Sequence, residues 1–336
     1  QSKRNARQAQ VQELENEFNS LSKAIPMPGG VRPFKALKLK GEHSKIDANG
    51  EMGQRKNWRD VSTAGEGAPV AFKMGIDSEK HNEASELADA LGVTLGVTTD
   101  LGTDGSLGAL LHQAFSVLER AGIKLGRLSN KKAIYLVLVD ESEHLAEDHA
   151  DNGKIGFIAV NRTFLEIARQ LSKTDPQLAR ILFVLLIAHE LRHETGRTEE
   201  NLALDAGLAY QLILQMAQEV ALRTAERDGL SAKEAEARAR LNARELMRAL
   251  ADALGVHIPN REFANALASA ADAIELALDK GIDLELLLRE AAQSDDFSWN
   301  DVREGILDIN ATLANPNWIG SLPPGAKQNQ INARLR

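Results

Sequence analysis

Eight consecutive apolar residues, Ile181–Ala188, run without a break into His189-Glu190-Leu191-Arg192-His193. Upstream, Thr174-Asp175-Pro176 offers a capping side chain followed by proline at a first helical position, and Leu178, Ile181, Leu182, Leu185 and Leu186 continue the pattern. A helix this apolar is mostly buried. Its polar end then poses a problem, because two histidines, an acid and an arginine cost several kcal/mol in total if they are buried without partners. A metal ion is one such partner.

Spacing makes that partner specific. Residues four apart on a helix lie about one turn apart on one face, so His189 and His193 can present two imidazoles to a single ion while Glu190 points toward a water. These residues resemble the H-E-x-x-H motif of the zincin metallopeptidases, and the order of the preceding segments agrees. Lys132–Val139 (KAIYLVLV) reads as a strong strand, Lys154–Val160 (KIGFIAV) as a second and Thr163–Ser172 as a short helix. The resemblance extends from about Gly92 to Val220. It implies an α+β fold with a zincin-like small mixed sheet and an active-site helix, here followed by a mostly α-helical C-terminal region. It also implies bound Zn2+ and hydrolysis of a peptide or protein substrate, with Glu190 as general base and then as proton donor to the leaving amine. Lys154–Val160 is the strand expected to offer an edge to an extended peptide.

Catalytic zinc usually takes three protein ligands, so two imidazoles leave the set incomplete. From His189 to Glu199 the chain reads H-E-x-x-H-x-x-G-x-x-E, similar to the metzincin pattern except that metzincins place His or Asp at the last position. No Met-turn follows, since Met216 reads as helical. A gluzincin-like arrangement instead takes a Glu from a second helix, often with an Asp that orients a histidine. Thr198 can cap a helix from Glu199 to about Arg223, with an apolar stripe of Leu202, Ala206, Ala209, Ile213, Met216 and Val220. Projected at helical pitch, Glu199 and Asp205 fall in the stripe and Glu200 falls on the polar side with Gln211 and Gln218. The projection favours Glu199 as the third ligand and Asp205 as acceptor of a histidine N–H. Glu200 and Asp205 stay open as ligands, because Asn201 departs from the gluzincin E-x-x-x-D spacing. For a developing oxyanion the nearby donors are Tyr210 and Arg192, but Tyr210 reads as a packing residue and Arg192 as a solvated surface charge.

The remaining sequence sets bounds. With 48 acids against 40 bases the net charge is −8, which argues against nucleic acid as the partner. The absence of cysteine excludes disulfides and thiolate ligands. No apolar run reaches the ~20 residues that span a bilayer. A chain starting at Gln1 fits an exported bacterial protein that has lost a signal peptide. Residues 1–68 read as an amphipathic helix (Lys3–Ile25) and a linker, in which His43 is a remote candidate ligand. Residues 69–223 read as the metallopeptidase core, with Pro69–Met74 and Val93–Val97 as added strands and Ser106–Ala121 as a helix. Residues 224–314 read as a helical subdomain (Ser231–Leu254, Asn260–Lys280, Asp283–Ala292, Ser298–Leu313) offering a surface to a protein partner, with His257 in a break between helices. Residues 315–336 read as a loose tail. Two other functions compete with hydrolysis. One is a non-catalytic helical adaptor with a structural or vestigial metal site. The other is a di-iron or di-manganese carboxylate protein, suggested by E-x-x-H at Glu190/His193 and again at Glu141/His144.

Overall fold

The computed structural model describes residues 58–64, 68–78, 81–96, 105–139, 145–148, 155–195, 201–257, 261–294 and 296–314. By its contacts the chain divides at Lys35/Ala36, and all of these residues belong to the second unit. The amphipathic segment Lys3–Ile25, His43, the Glu141/His144 pair and the tail beyond 314 lie outside the described residues.

That unit is α+β, with a small mixed sheet and a helical C-terminal half. Six strands, β1 (Trp58–Asp60), β2 (Phe72–Ser78), β3 (His81–Asn82), β4 (Ala133–Val139), β5 (Ala146–Asp148) and β6 (Ile155–Asn161), make a sheet of order β1-β2-β4-β6-β5, with β3 also paired to β2. The three long strands β2, β4 and β6 are parallel to one another, while β1 and β5 run antiparallel at the two ends. Alternation along β4 and β6 sends Ile134, Leu136, Leu138, Ile158 and Val160 into the main core, and Val137, Val139, Phe157 and Ala159 into a second cluster with Trp58 and Tyr135.

Nine helices are described: α1 (Glu83–Leu91), α2 (Leu107–Arg120), α3 (Arg162–Thr174), α4 (Pro176–Glu194), α5 (Leu202–Asp228), α6 (Ala232–His257), α7 (Arg261–Asp279), α8 (Leu284–Gln293) and α9 (Trp299–Ala314). Local chemistry accounts for their starts. Ser106, Asn161 and Asp175 each cap a helix by accepting from backbone N–H groups in its first turn, and Pro176 occupies the first position of α4. Helix α4 is the hub, packed against α2, α3, α5, α6, β5 and β6. No described helix is long and apolar enough to cross a membrane.

Several expectations change. The core begins before residue 69: β1 pairs with β2, Val61 is buried, and the Ser62 hydroxyl accepts from the Phe72 N–H at 3.1 Å. Within Val93–Val97 the described residues form only an isolated bridge, Thr94 to Ser106. Lys154–Val160 is not the sheet edge, because β6 lies between β4 and β5; the terminal strand on that side is β5, which packs beside α4. The boundary placed at 223/224 falls inside α5, which packs on both α6 and α7, so the C-terminal helices share the core of the motif helix. His257 is the last residue of α6 and not part of a break.

Candidate metal centre

Burial along α4 singles out one stripe. From Ile181 to Glu194 every residue is buried except Leu186, His189 and His193, which stand three and four apart on one face and are partly exposed. The two imidazoles therefore sit on the one open side of an otherwise enclosed helix. Glu190, one residue round the turn, is buried at 4% exposure.

The rings face each other through their outer nitrogens. His189 Nε2 and His193 Nε2 are 3.0 Å apart, with the ring planes at 81°. Two nitrogen ligands at the usual zinc distances in tetrahedral geometry stand about 3.3 Å apart, so the observed separation needs only a few tenths of an ångström of adjustment. The same pair can share one proton as N–H···N, and a metal ion would take that proton's place.

Asp205 stands behind the first ring. Its Oδ2 is 2.8 Å from His189 Nδ1 and the residue is buried, so Nδ1–H donates to the carboxylate and leaves Nε2 as the nitrogen turned toward His193. Asp205 lies in the first turn of α5, and that end of the helix is tied down by the C-terminal helices. Asn201 caps α5 by accepting from the Leu204 N–H, while its own amide donates to the Ala291 carbonyl at 2.8 Å. Trp299 Nε1 donates to the Ala203 carbonyl at 2.7 Å. Gly207 lets α8 and α9 come close, since a Cβ there would meet Leu288 Cδ2 at 2.5 Å and Trp299 Cζ2 at 2.7 Å.

Two further charges are enclosed at this end of α4. Arg192 is 2% exposed, with Nη2 3.4 Å from His189 Nδ1 and 3.8 Å from Asp205 Oδ2. This corrects its reading as a solvated surface charge: on its side the helix end is wrapped by neighbouring elements. Glu194 forms an ion pair with Lys131, just before β4, with both side chains almost wholly enclosed. Gly156 on β6 makes room for that carboxylate, since a Cβ there would lie 2.4 Å from Glu194 Oε1. Sequence reasoning missed Lys131 and Glu194; the available signal was an acid at a helix C-terminus, where the helix dipole disfavours it.

Tyr210 does more than pack. It is fully buried and its hydroxyl donates to Glu275, which also accepts from Arg240 Nη2 at 2.8 Å. Burial first, and the Glu275 carboxylate second, push its hydroxyl well above the ordinary tyrosine range. Engaged with α7, Tyr210 is withdrawn from service as an oxyanion donor.

Asp205 is engaged with His189 Nδ1, and the other two candidate ligands lie elsewhere. Helix α5 starts at Leu202 under an Asn201 cap, not at Glu199 under Thr198, so the helical projection of Glu199 and Glu200 does not apply. Both acids lie outside the described residues. Among the described residues, no three His, Asp or Glu side chains are grouped to hold an ion. No known protein family, curated protein or solved structure matches the chain.

Proposed function

We propose that the chain is a zincin-like zinc metallopeptidase. The observation that carries this reading is the convergence of His189 Nε2 and His193 Nε2 to 3.0 Å on the open face of α4, with the Asp205 carboxylate fixing the first ring from behind. The antiparallel end strand β5 beside α4 adds support, because an extended peptide can pair with such a strand.

His189 and His193 would hold the ion, with Glu199 proposed to complete the set and Glu200 as the alternative. Bound there, zinc supplies Lewis acidity, which makes water a nucleophile near neutral pH and polarises a carbonyl. Glu190 takes the proton from that water and passes it to the leaving amine, a task suited to a carboxylate in a largely water-excluded position. Asp205 keeps His189 in the tautomer that binds through Nε2.

Dialysed protein should take up one Zn2+ per chain and cleave casein or a peptide library, with cleavage abolished by a chelator. Glu190→Gln should retain zinc and fold while losing roughly 10²–10⁴-fold in turnover. Full activity in that variant would remove Glu190 as the base. Stoichiometric zinc with no hydrolysis on any library would favour the structural-site alternative.

A further inference from the structure

Arg192 occupies a position that the proposed chemistry leaves unused. A guanidinium is always charged, offers only donors and is expensive to bury, yet this one is 2% exposed. Its Nε has no hydrogen-bond partner among the described residues. The nearest carboxylate oxygen recorded for it is Asp205 Oδ2 at 3.8 Å, which also receives His189 Nδ1 at 2.8 Å. Arg192 Nη2 approaches that same ring nitrogen at 3.4 Å, but an N–H donor cannot accept from Nδ1–H. The ring proton therefore goes to the carboxylate, and the guanidinium flanks that contact as a charge that keeps the carboxylate in place.

We infer that Arg192 is a positioning residue: by holding the Asp205 carboxylate it fixes the orientation and tautomer of His189, so that Nε2 faces His193. Sequence placement makes the device compact, because one turn of α4 carries both the ring and the arginine that steers it. Arg192 is enclosed at 2% exposure, so it has no contact with substrate to make. The inference deepens the metallopeptidase reading and rests on it for its purpose, though not for its geometry.

The test uses the full chain in two states. In metal-free protein above the histidine titration range, two-bond 1H–15N spectra report which nitrogen of His189 carries the proton. Wild type should show Nδ1–H, and Arg192→Met should show loss of that single tautomer. With Zn2+ and Co2+ added, Arg192→Met and Arg192→Gln should bind about 10–100-fold more weakly and with an altered Co2+ absorption band, the usual scale for removing a group that orients a ligand. Arg192→Lys, which keeps the charge, should recover much of the loss. An Nε2–H tautomer in wild type overturns the inference, as do variants within about twofold of wild type in affinity with an unchanged Co2+ band. That wild-type result would overturn the inference even if the variants failed to fold. If wild type binds no metal, the metallopeptidase reading fails while the tautomer comparison still judges Arg192.

Discussion

Two polar clusters meet on helix α5, and they differ in how their groups are paired. In the C-terminal bundle, Tyr210 and Arg240 donate to Glu275 and Arg240 donates again to Asp279 at 2.7 Å, so donors on two helices meet acceptors on a third. At the end of α4, a carboxylate orients one ring with a guanidinium beside it, and two ring nitrogens face each other at 3.0 Å. In the first arrangement carboxylates take up donors from two helices, although Arg240 Nε has no hydrogen-bond partner among the described residues. The second is arranged around a point between two nitrogens. Matching donors to acceptors stabilises a fold, whereas directing two Lewis bases at one point makes a place for an ion.

The ion pair that roots α4 in the sheet gives the largest contrast. Lys131→Ala leaves Glu194 as an enclosed charge without its partner and should cost about 3–5 kcal/mol in denaturant unfolding, whereas Lys131→Met combined with Glu194→Leu should recover most of that loss. A double variant as unstable as the single one would mean that the pair is tuned for more than stability, and the contrast between the clusters would need redrawing.

A smaller effect is expected in the bundle. Tyr210→Phe removes one hydrogen bond to a carboxylate and should cost about 1.5–3 kcal/mol without changing zinc uptake. Its pH dependence has a definite sign. Because the folded state holds the tyrosine proton more tightly than the unfolded chain, the stability Tyr210 contributes is complete below the ordinary tyrosine range and falls as pH rises through and above it. The Phe variant should lack that alkaline loss.

Gly207 lies between Asp205 and Tyr210 along α5. A Cβ there would press on Leu288 and Trp299, so Gly207→Ala should destabilise by about 1–3 kcal/mol. It should also shift the Asp205 end of α5 enough to weaken zinc binding. Reduced stability with unchanged zinc affinity would separate the clamp formed by α8 and α9 from the metal centre.

Much of this organisation was legible where it rests on local rules. Asp175-Pro176 announced the start of α4, short apolar runs announced β4 and β6, and the Ala- and Leu-rich composition announced α6 to α9. Helix α1 was overlooked although Asn82 caps it and Ala84, Leu87, Ala88 and Leu91 keep helical spacing; only nine residues carry the signal. Strands β1, β3 and β5 have two or three residues each, too few for a period, and exist because a neighbouring strand pairs with them. Asp205 could be chosen from its place on a helical face. Arg192 could not be read as buried, because a run of polar residues after an apolar helix looks the same whether the helix end meets water or other elements. Nor could Lys131, whose partner arrives only through the tertiary fold. Thr198 and Asn201 are both good caps, and the choice went to Asn201, whose amide also reaches Ala291.

The smallest predicted effect uses a third buried polar group as a control. His112 on α2 is buried, and its Nε2 has no hydrogen-bond partner among the described residues. Burial lowers its pKa below the usual 6.5, with a hydrogen bond to the Thr63 backbone acting the other way. The folded state thus takes up this proton less readily than the unfolded chain, so stability is complete above the ordinary histidine range and declines as pH falls below it. His112→Gln should flatten that acid-side decline and leave zinc stoichiometry at the wild-type value. Loss of a zinc equivalent in this variant would show that an enclosed imidazole alone is enough to recruit metal, and the pairing of rings at His189 and His193 would lose its special standing.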